Sequence, residues 1–141
     1  MKLAFLFMAL LLTCSVASAA EPIPTPKPIF FARGSASGTV GGQVLRSERA
    51  LYSLKAAKGQ TLTVTLTTPD DNAVFQIYEP DTAIGRDADG VLEFKGTPLQ
   101  GAVDGQDATR WHGPLPRTGT YLIVVGSTRG NARFSMDVKV E

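Results

Sequence analysis

Polar and apolar residues alternate with a period of two over most of the chain beyond Pro28. The run Thr61-Leu62-Thr63-Val64-Thr65-Leu66-Thr67 is strict, with Leu62, Val64 and Leu66 on one face and the threonines on the other. Phe134-Ser135-Met136-Asp137-Val138-Lys139-Val140 repeats it, and Tyr52, Leu54 and Ala56 alternate with Ser53, Lys55 and Ala57. Successive side chains leave a strand on opposite faces, and Thr, Val, Tyr and Phe suit a half-buried pleated surface, so these runs predict strands. Phe75 and Ile77 mark another, with Val74, Gln76 and Tyr78 on its far face. Tyr121–Val125 is apolar throughout, which predicts a central strand covered on both faces. Ile29–Ala32 and Ser37–Val44 supply the early strands, and Gly38, Gly41 and Gly42 predict that the second is irregular or bulged.

No segment after residue 28 carries a sustained helical repeat with caps. The punctuation is that of antiparallel sheets: Lys58-Gly59, Thr118-Gly119 after Pro114 and Pro116, and Arg129-Gly130-Asn131 between the last two strands. The expected architecture is all-β, a small antiparallel, jelly-roll-like sandwich of about seven or eight strands. One region departs from it. Asp81–Arg110 is rich in glycine and has one strand-like stretch, Val91-Leu92-Glu93-Phe94. A connection of that length in a small domain is usually functional or mobile.

The chain begins with an export leader. Lys2 precedes an apolar run from Leu3 to Leu12, and Ala17-Ser18-Ala19 places small residues for cleavage before Ala20. The run is too short to span a bilayer. The domain plan is therefore a leader over 1–19, a proline-rich spacer over 20–28 and one sandwich over 29–141. The expected location is the periplasm. Leu11-Leu12-Thr13-Cys14-Ser15 approaches a bacterial lipidation motif, although Thr13 fits it poorly; a lipid on Cys14 would place the protein on the outer membrane, and only then is a membrane a partner. Glu21–Pro28 reads E-P-I-P-T-P-K-P, a polyproline-like spacer.

Charge removes several classes of function. The 141 residues carry 14 Lys+Arg against 13 Asp+Glu, and loss of Lys2 with the leader balances them. A nucleic-acid partner would require a basic surplus. One cysteine and one histidine exclude a disulfide framework and argue against a Cys/His metal site, and no cofactor is expected. His112 is the only candidate general base for a triad, and no G-x-S-x-G elbow is present, so an enzyme is not expected. Asp87-Ala88-Asp89-Gly90 resembles part of a calcium loop but lacks the regular third ligand and the terminal Glu. The neutral total hides a separation of charge. Asp70–Asp107 holds nine acids against Arg86 and Lys95, whereas Arg110–Arg133 holds four arginines and no acid.

Within that basic third, Ser127-Thr128-Arg129-Gly130-Asn131-Ala132-Arg133 places two guanidinium groups around a tight turn. Arginine projects far, does not titrate and grips carboxylates bidentately, so the turn is either a solvated tip or a carboxylate-seeking contact.

Longer motifs connect these features to known proteins. Tyr52-Ser53-Leu54-Lys55-Ala56-Ala57-Lys58-Gly59-Gln60 and Leu115-Pro116-Arg117-Thr118-Gly119-Thr120-Tyr121 resemble the pattern of the bacterial pre-peptidase C-terminal domains, which are small β-sandwiches. A narrower resemblance is to the periplasmic inhibitors of g-type lysozyme. It is carried by Phe31-Ala32-Arg33-Gly34-Ser35-Ala36-Ser37-Gly38, by Lys58-Gly59-Gln60, by His112-Gly113 ahead of Leu115-Pro116, and by Thr128-Arg129-Gly130-Asn131-Ala132-Arg133 against a family-like T-R-x-x-A-R. The resemblance implies a lysozyme as protein partner, with loops that enter its cleft. By position it implies contacts from Arg129, Arg133, Thr128 and Asn131. A second family loop precedes the strand of Tyr52. Here it is Gln43-Val44-Leu45-Arg46-Ser47-Glu48-Arg49, with Arg46 and Ser47 as its candidate contacts and no counterpart of the family's tyrosine. The alternative is a non-inhibitory envelope module that binds polysaccharide on a platform of Trp111 and Tyr78.

Overall fold

The computed structural model describes Cys14, Ser15, Ala17, Ala19 and residues 21–141. Most of the expected leader therefore lies outside the described residues. Ten strands follow: β1 (Lys27–Pro28), β2 (Ser37–Val44), β3 (Arg49–Ala56), β4 (Thr61–Thr67), β5 (Ala73–Tyr78), β6 (Ala83–Arg86), β7 (Leu92–Lys95), β8 (Arg110–Pro114), β9 (Gly119–Ser127) and β10 (Ala132–Val140). They form two four-stranded sheets, ordered β1-β3-β9-β5 and β2-β10-β4-β8, and a separate β6-β7 hairpin. The sandwich is thus all-β as expected, antiparallel except where β1 runs parallel to β3.

The alternating residues meet between the sheets. Tyr52, Leu54, Phe75, Ile77, Tyr121, Ile123 and Val125 from one face Leu62, Val64, Leu66, Phe134, Met136 and Val138 from the other in one buried cluster. β9 is central, and Tyr121–Gly126 is buried along its length. Its outer face has its own small core, in which Leu51, Tyr78, Leu122 and Val124 are covered by Ile84 and Phe94 of the hairpin. That second core explains why this strand alone shows no alternation. A tyrosine corner closes the entry to β9: the Tyr121 hydroxyl donates to the Arg117 carbonyl at 2.6 Å and accepts from the Arg117 N–H at 3.0 Å.

Three expectations require correction. β2 is neither irregular nor bulged; it pairs with β10 in unbroken register from Ser37 to Val44. Its glycines make room for rings instead. A Cβ on Gly42 would sit 2.9 Å from Phe134 Cζ and 3.0 Å from the Tyr52 hydroxyl, and one on Gly38 would sit 3.2 Å from Phe31. Gly42→Ala is accordingly expected to lower stability by about 1–3 kcal/mol through overpacking, measured by denaturant unfolding. The first strand is not Ile29–Ala32 but Lys27–Pro28, inside the proline-rich stretch. There the chain lies against β3, Ile29 is buried, and its N–H donates to the Ser53 carbonyl at 2.8 Å. The prolines limit this to a short pairing, which blunts the sheet edge. Finally, Asp81–Arg110 is built rather than loose. After the β6-β7 hairpin, residues 97–108 run beside β5, with Leu99, Ala102 and Ala108 buried and backbone bonds from Phe75 N–H to Ala108 and from Ile77 N–H to Ala102.

Burial pushes the Tyr52 and Tyr78 phenols above the usual 10.0. The unfolded chain therefore ionises first. The stability these groups contribute is complete below about pH 10 and is lost as pH rises through the folded values. The thermal midpoint should fall above about pH 10, and Tyr52→Phe together with Tyr78→Phe should lessen the fall.

Candidate functional site

Three turns meet at one end of the sandwich: β2–β3 over 45–48, β4–β5 over 68–72 and β9–β10 over 128–131. The β2–β3 turn closes on itself, Glu48 N–H donating to the Leu45 carbonyl at 3.0 Å, with Ser47 at φ 67°. In the β9–β10 turn Gly130 takes φ 58°, and the Ser127 hydroxyl lies 2.9 Å from the Arg129 carbonyl it donates to. Left-handed backbone of this kind is what Gly accepts without a Cβ penalty.

Asparagines fasten the turns to one another. Asn131 Oδ1 accepts the Arg46 N–H at 2.9 Å, tying the β9–β10 turn to the β2–β3 turn. Asn72, 5% exposed and the one buried polar side chain among the described residues, donates through Nδ2 to the carbonyls of Arg129 at 3.1 Å and Asn131 at 3.0 Å. Its own carbonyl accepts the Thr128 N–H at 2.9 Å, and Thr68 Oγ1 holds it from behind. Arg129 is fixed at its far end too, through a hydrogen bond from its guanidinium to the Asp70 carbonyl.

The result is an open cleft of about 570 Å³ lined by Arg46, Ser47, Arg49, Ser127, Thr128, Arg129 and Gly130. Of the sequence candidates, Arg46, Ser47, Thr128 and Arg129 therefore share one surface, and Asn131 is the clasp beneath it. Arg133 is not among the lining residues; it lies on β10 opposite Gln43 of β2, where its exposed side chain belongs to the outer face of the other sheet. Sequence reasoning did not single out Arg49 or Asn72. Asn72 closes the run Thr68-Pro69-Asp70-Asp71-Asn72, which reads as a solvated turn and gives no sign of a buried amide.

The polysaccharide platform does not form. Trp111 lies on β8 against the main core, with its indole N–H donating to the Gln100 carbonyl at 2.9 Å, while Tyr78 stacks under Phe94 in the outer core. His112 faces outward, its Nδ1 2.8 Å from Thr63 Oγ1. The Asp87 carboxylate accepts the N–H groups of Asp89 and Val91, each at 2.9 Å, and so caps its own turn.

No family model and no curated protein matches the chain. Solved structures do. The periplasmic inhibitor of g-type lysozyme PliG from Aeromonas hydrophila is 26% identical, with a TM-score of 0.64 over 83% of this chain and 96% of that one. PliG from Salmonella Typhimurium is 20% identical, with a TM-score of 0.56 over 83% of this chain and 100% of that one. A mutant of the Escherichia coli PliG is 19% identical, with a TM-score of 0.56 and the same coverage of 83% and 100%. These last two speak for the fold alone.

Proposed function

We propose that this chain is a periplasmic inhibitor of g-type lysozyme that acts by binding the enzyme and not by catalysis. The observation that carries the reading is the likeness to the Aeromonas hydrophila inhibitor, in sequence as well as in fold, over 83% of this chain and 96% of that one. The arginine cleft supplies a mechanism. Lysozymes cut a polysaccharide in a groove that holds acidic residues. Arg129 stands at the tip of a turn pinned from three sides, and the bond to Asp70 occupies only part of its guanidinium. The remaining donors are free to pair with a carboxylate in that groove and deny it to substrate. Because the turn is already ordered, binding forfeits little conformational entropy.

Export fits this role. The leader over 1–19 would be removed before Ala20, leaving a mature chain without cysteine. The purified mature protein should suppress peptidoglycan hydrolysis by g-type lysozyme at micromolar excess, with weaker or no effect on c- and i-type enzymes. Unchanged g-type activity overturns the reading.

A further inference from the structure

Arg49 was not part of the expected contact set, yet it occupies the centre of the surface. It opens β3, beside Gly126 of β9, and its side chain is laid across that glycine. A Cβ on Gly126 would meet Arg49 Cδ and Nε at 3.2 Å and Cζ at 3.3 Å. The missing side chain is therefore the space in which the guanidinium rests. Gly126 does not need its conformational freedom here, because its backbone is not in the left-handed region.

Four hollows share this side chain, and two of them adjoin along β9. One is the cleft of Arg46, Arg49 and Arg129; the other continues over the outer face of β9 and β5, past Gly126, to Gln76 and Asp104. Arg49, Ser127 and Thr128 line both, so the two form one trough. Burial raises the Tyr78 phenol, with Asp104 adding to the shift and Arg49 opposing it.

The arginines of this trough have no carboxylate partner among the described residues, as is also true of Arg33, Arg110 and Arg133. Arg86 and Arg117 are engaged by Glu21 and Asp81. Among the described residues no carboxylate pairs with Arg46, Arg49 or Arg129; Arg49 donates only to the Glu48 carbonyl, at 2.8 Å. Glu48 lines an adjoining crevice against residues 21–24, which Ser47 and Arg49 also border. The cleft half of the trough, around Arg46, Arg49 and Arg129, has no acid among its lining residues, whereas Asp104 and Asp107 line the far half. Cations that converge in this way repel one another, and an anionic group entering the cleft relieves the repulsion.

We infer that Arg49 is a second anchor for the protein partner. The contact surface is then the arginine-lined half of the trough, between Arg129 and Arg49, and it receives a projecting, carboxylate-bearing element of the enzyme. This rests on the inhibitor reading and extends it.

The test measures Kd for g-type lysozyme with the mature protein and four variants, each with its thermal midpoint. Arg49→Ala should weaken binding by about tenfold or more, as the loss of an arginine at the centre of an interface does. Gly126→Ala keeps the arginine but displaces it, and should weaken binding several-fold. Arg110→Ala, which removes one charge on the opposite sheet, should change Kd by less than about twofold, separating a local contact from net charge. Wild-type binding that is lost in Arg129→Ala but intact in Arg49→Ala and Gly126→Ala overturns the second anchor and leaves the inhibitor reading standing. An equal loss in Arg110→Ala also overturns it. No binding by the wild type overturns both.

Discussion

Asn72→Ala is expected to lower the unfolding free energy by about 2–4 kcal/mol and to abolish tight partner binding at the same time. The side chain is 5% exposed and makes hydrogen bonds to two carbonyls of the β9–β10 turn and to the Thr68 hydroxyl. Truncation leaves the Asn131 carbonyl without its amide donor beside the core, while the Arg129 carbonyl retains only Ser127. An unmade bond of this kind costs about 1–3 kcal/mol, so two weakened carbonyls account for the figure. Asn72→Asp should fare no better, because a carboxylate cannot donate to a carbonyl and would be buried with its charge. Chemical denaturation measures the first effect, and titration with g-type lysozyme below the variant's midpoint measures the second. A variant as stable as the wild type would show that the turns do not depend on Asn72.

The architecture was legible because the main core obeys a period of two. Residues 61–67 and 134–140 face the core in just the alternation their sequence displays. What escaped reading has specific physical causes. Glycine is ambiguous in a strand, and only the positions of Phe134 and Phe31 show that Gly42 and Gly38 accommodate rings instead of a bulge. The 81–110 region carries its burial on isolated residues, Leu99, Ala102 and Ala108, which no period links. Proline marks a segment that cannot sit within a sheet, yet Lys27-Pro28 needs only an edge.

The candidate site was legible in part for a related reason. Arg129, Thr128, Arg46 and Ser47 lie in turns, where arginine and serine are not required by the fold, and all four line the cleft. Arg133 stood four residues from Arg129, but the hairpin turns one outward at its tip and returns the other to a strand in the second sheet. Sequence spacing across a turn therefore misjudged which guanidinium groups meet. Arg49, some eighty residues before the hairpin turn, is the nearer companion because β3 pairs with β9.

Arg129→Ala should reduce inhibition by at least an order of magnitude, in a range of roughly 2–5 kcal/mol if the arginine meets a desolvated carboxylate. The fold should survive, since the side chain is exposed and its one intramolecular bond is to the Asp70 carbonyl at the surface. That bond nonetheless leaves two explanations for a loss of activity: a missing contact with the enzyme, or a turn released from the β4–β5 loop. Arg129→Lys separates them. Lysine keeps the charge and can still donate to a carbonyl, but it cannot grip a carboxylate with two parallel N–H groups. If recognition is bidentate, Lys should lose most of what Ala loses, whereas if the residue only steadies the turn, Lys should inhibit nearly as well as the wild type. Dissociation rates carry the decision, because truncating one partner of a buried charge pair acts on release more than on encounter. An unchanged dissociation rate in both variants would remove Arg129 from the interface.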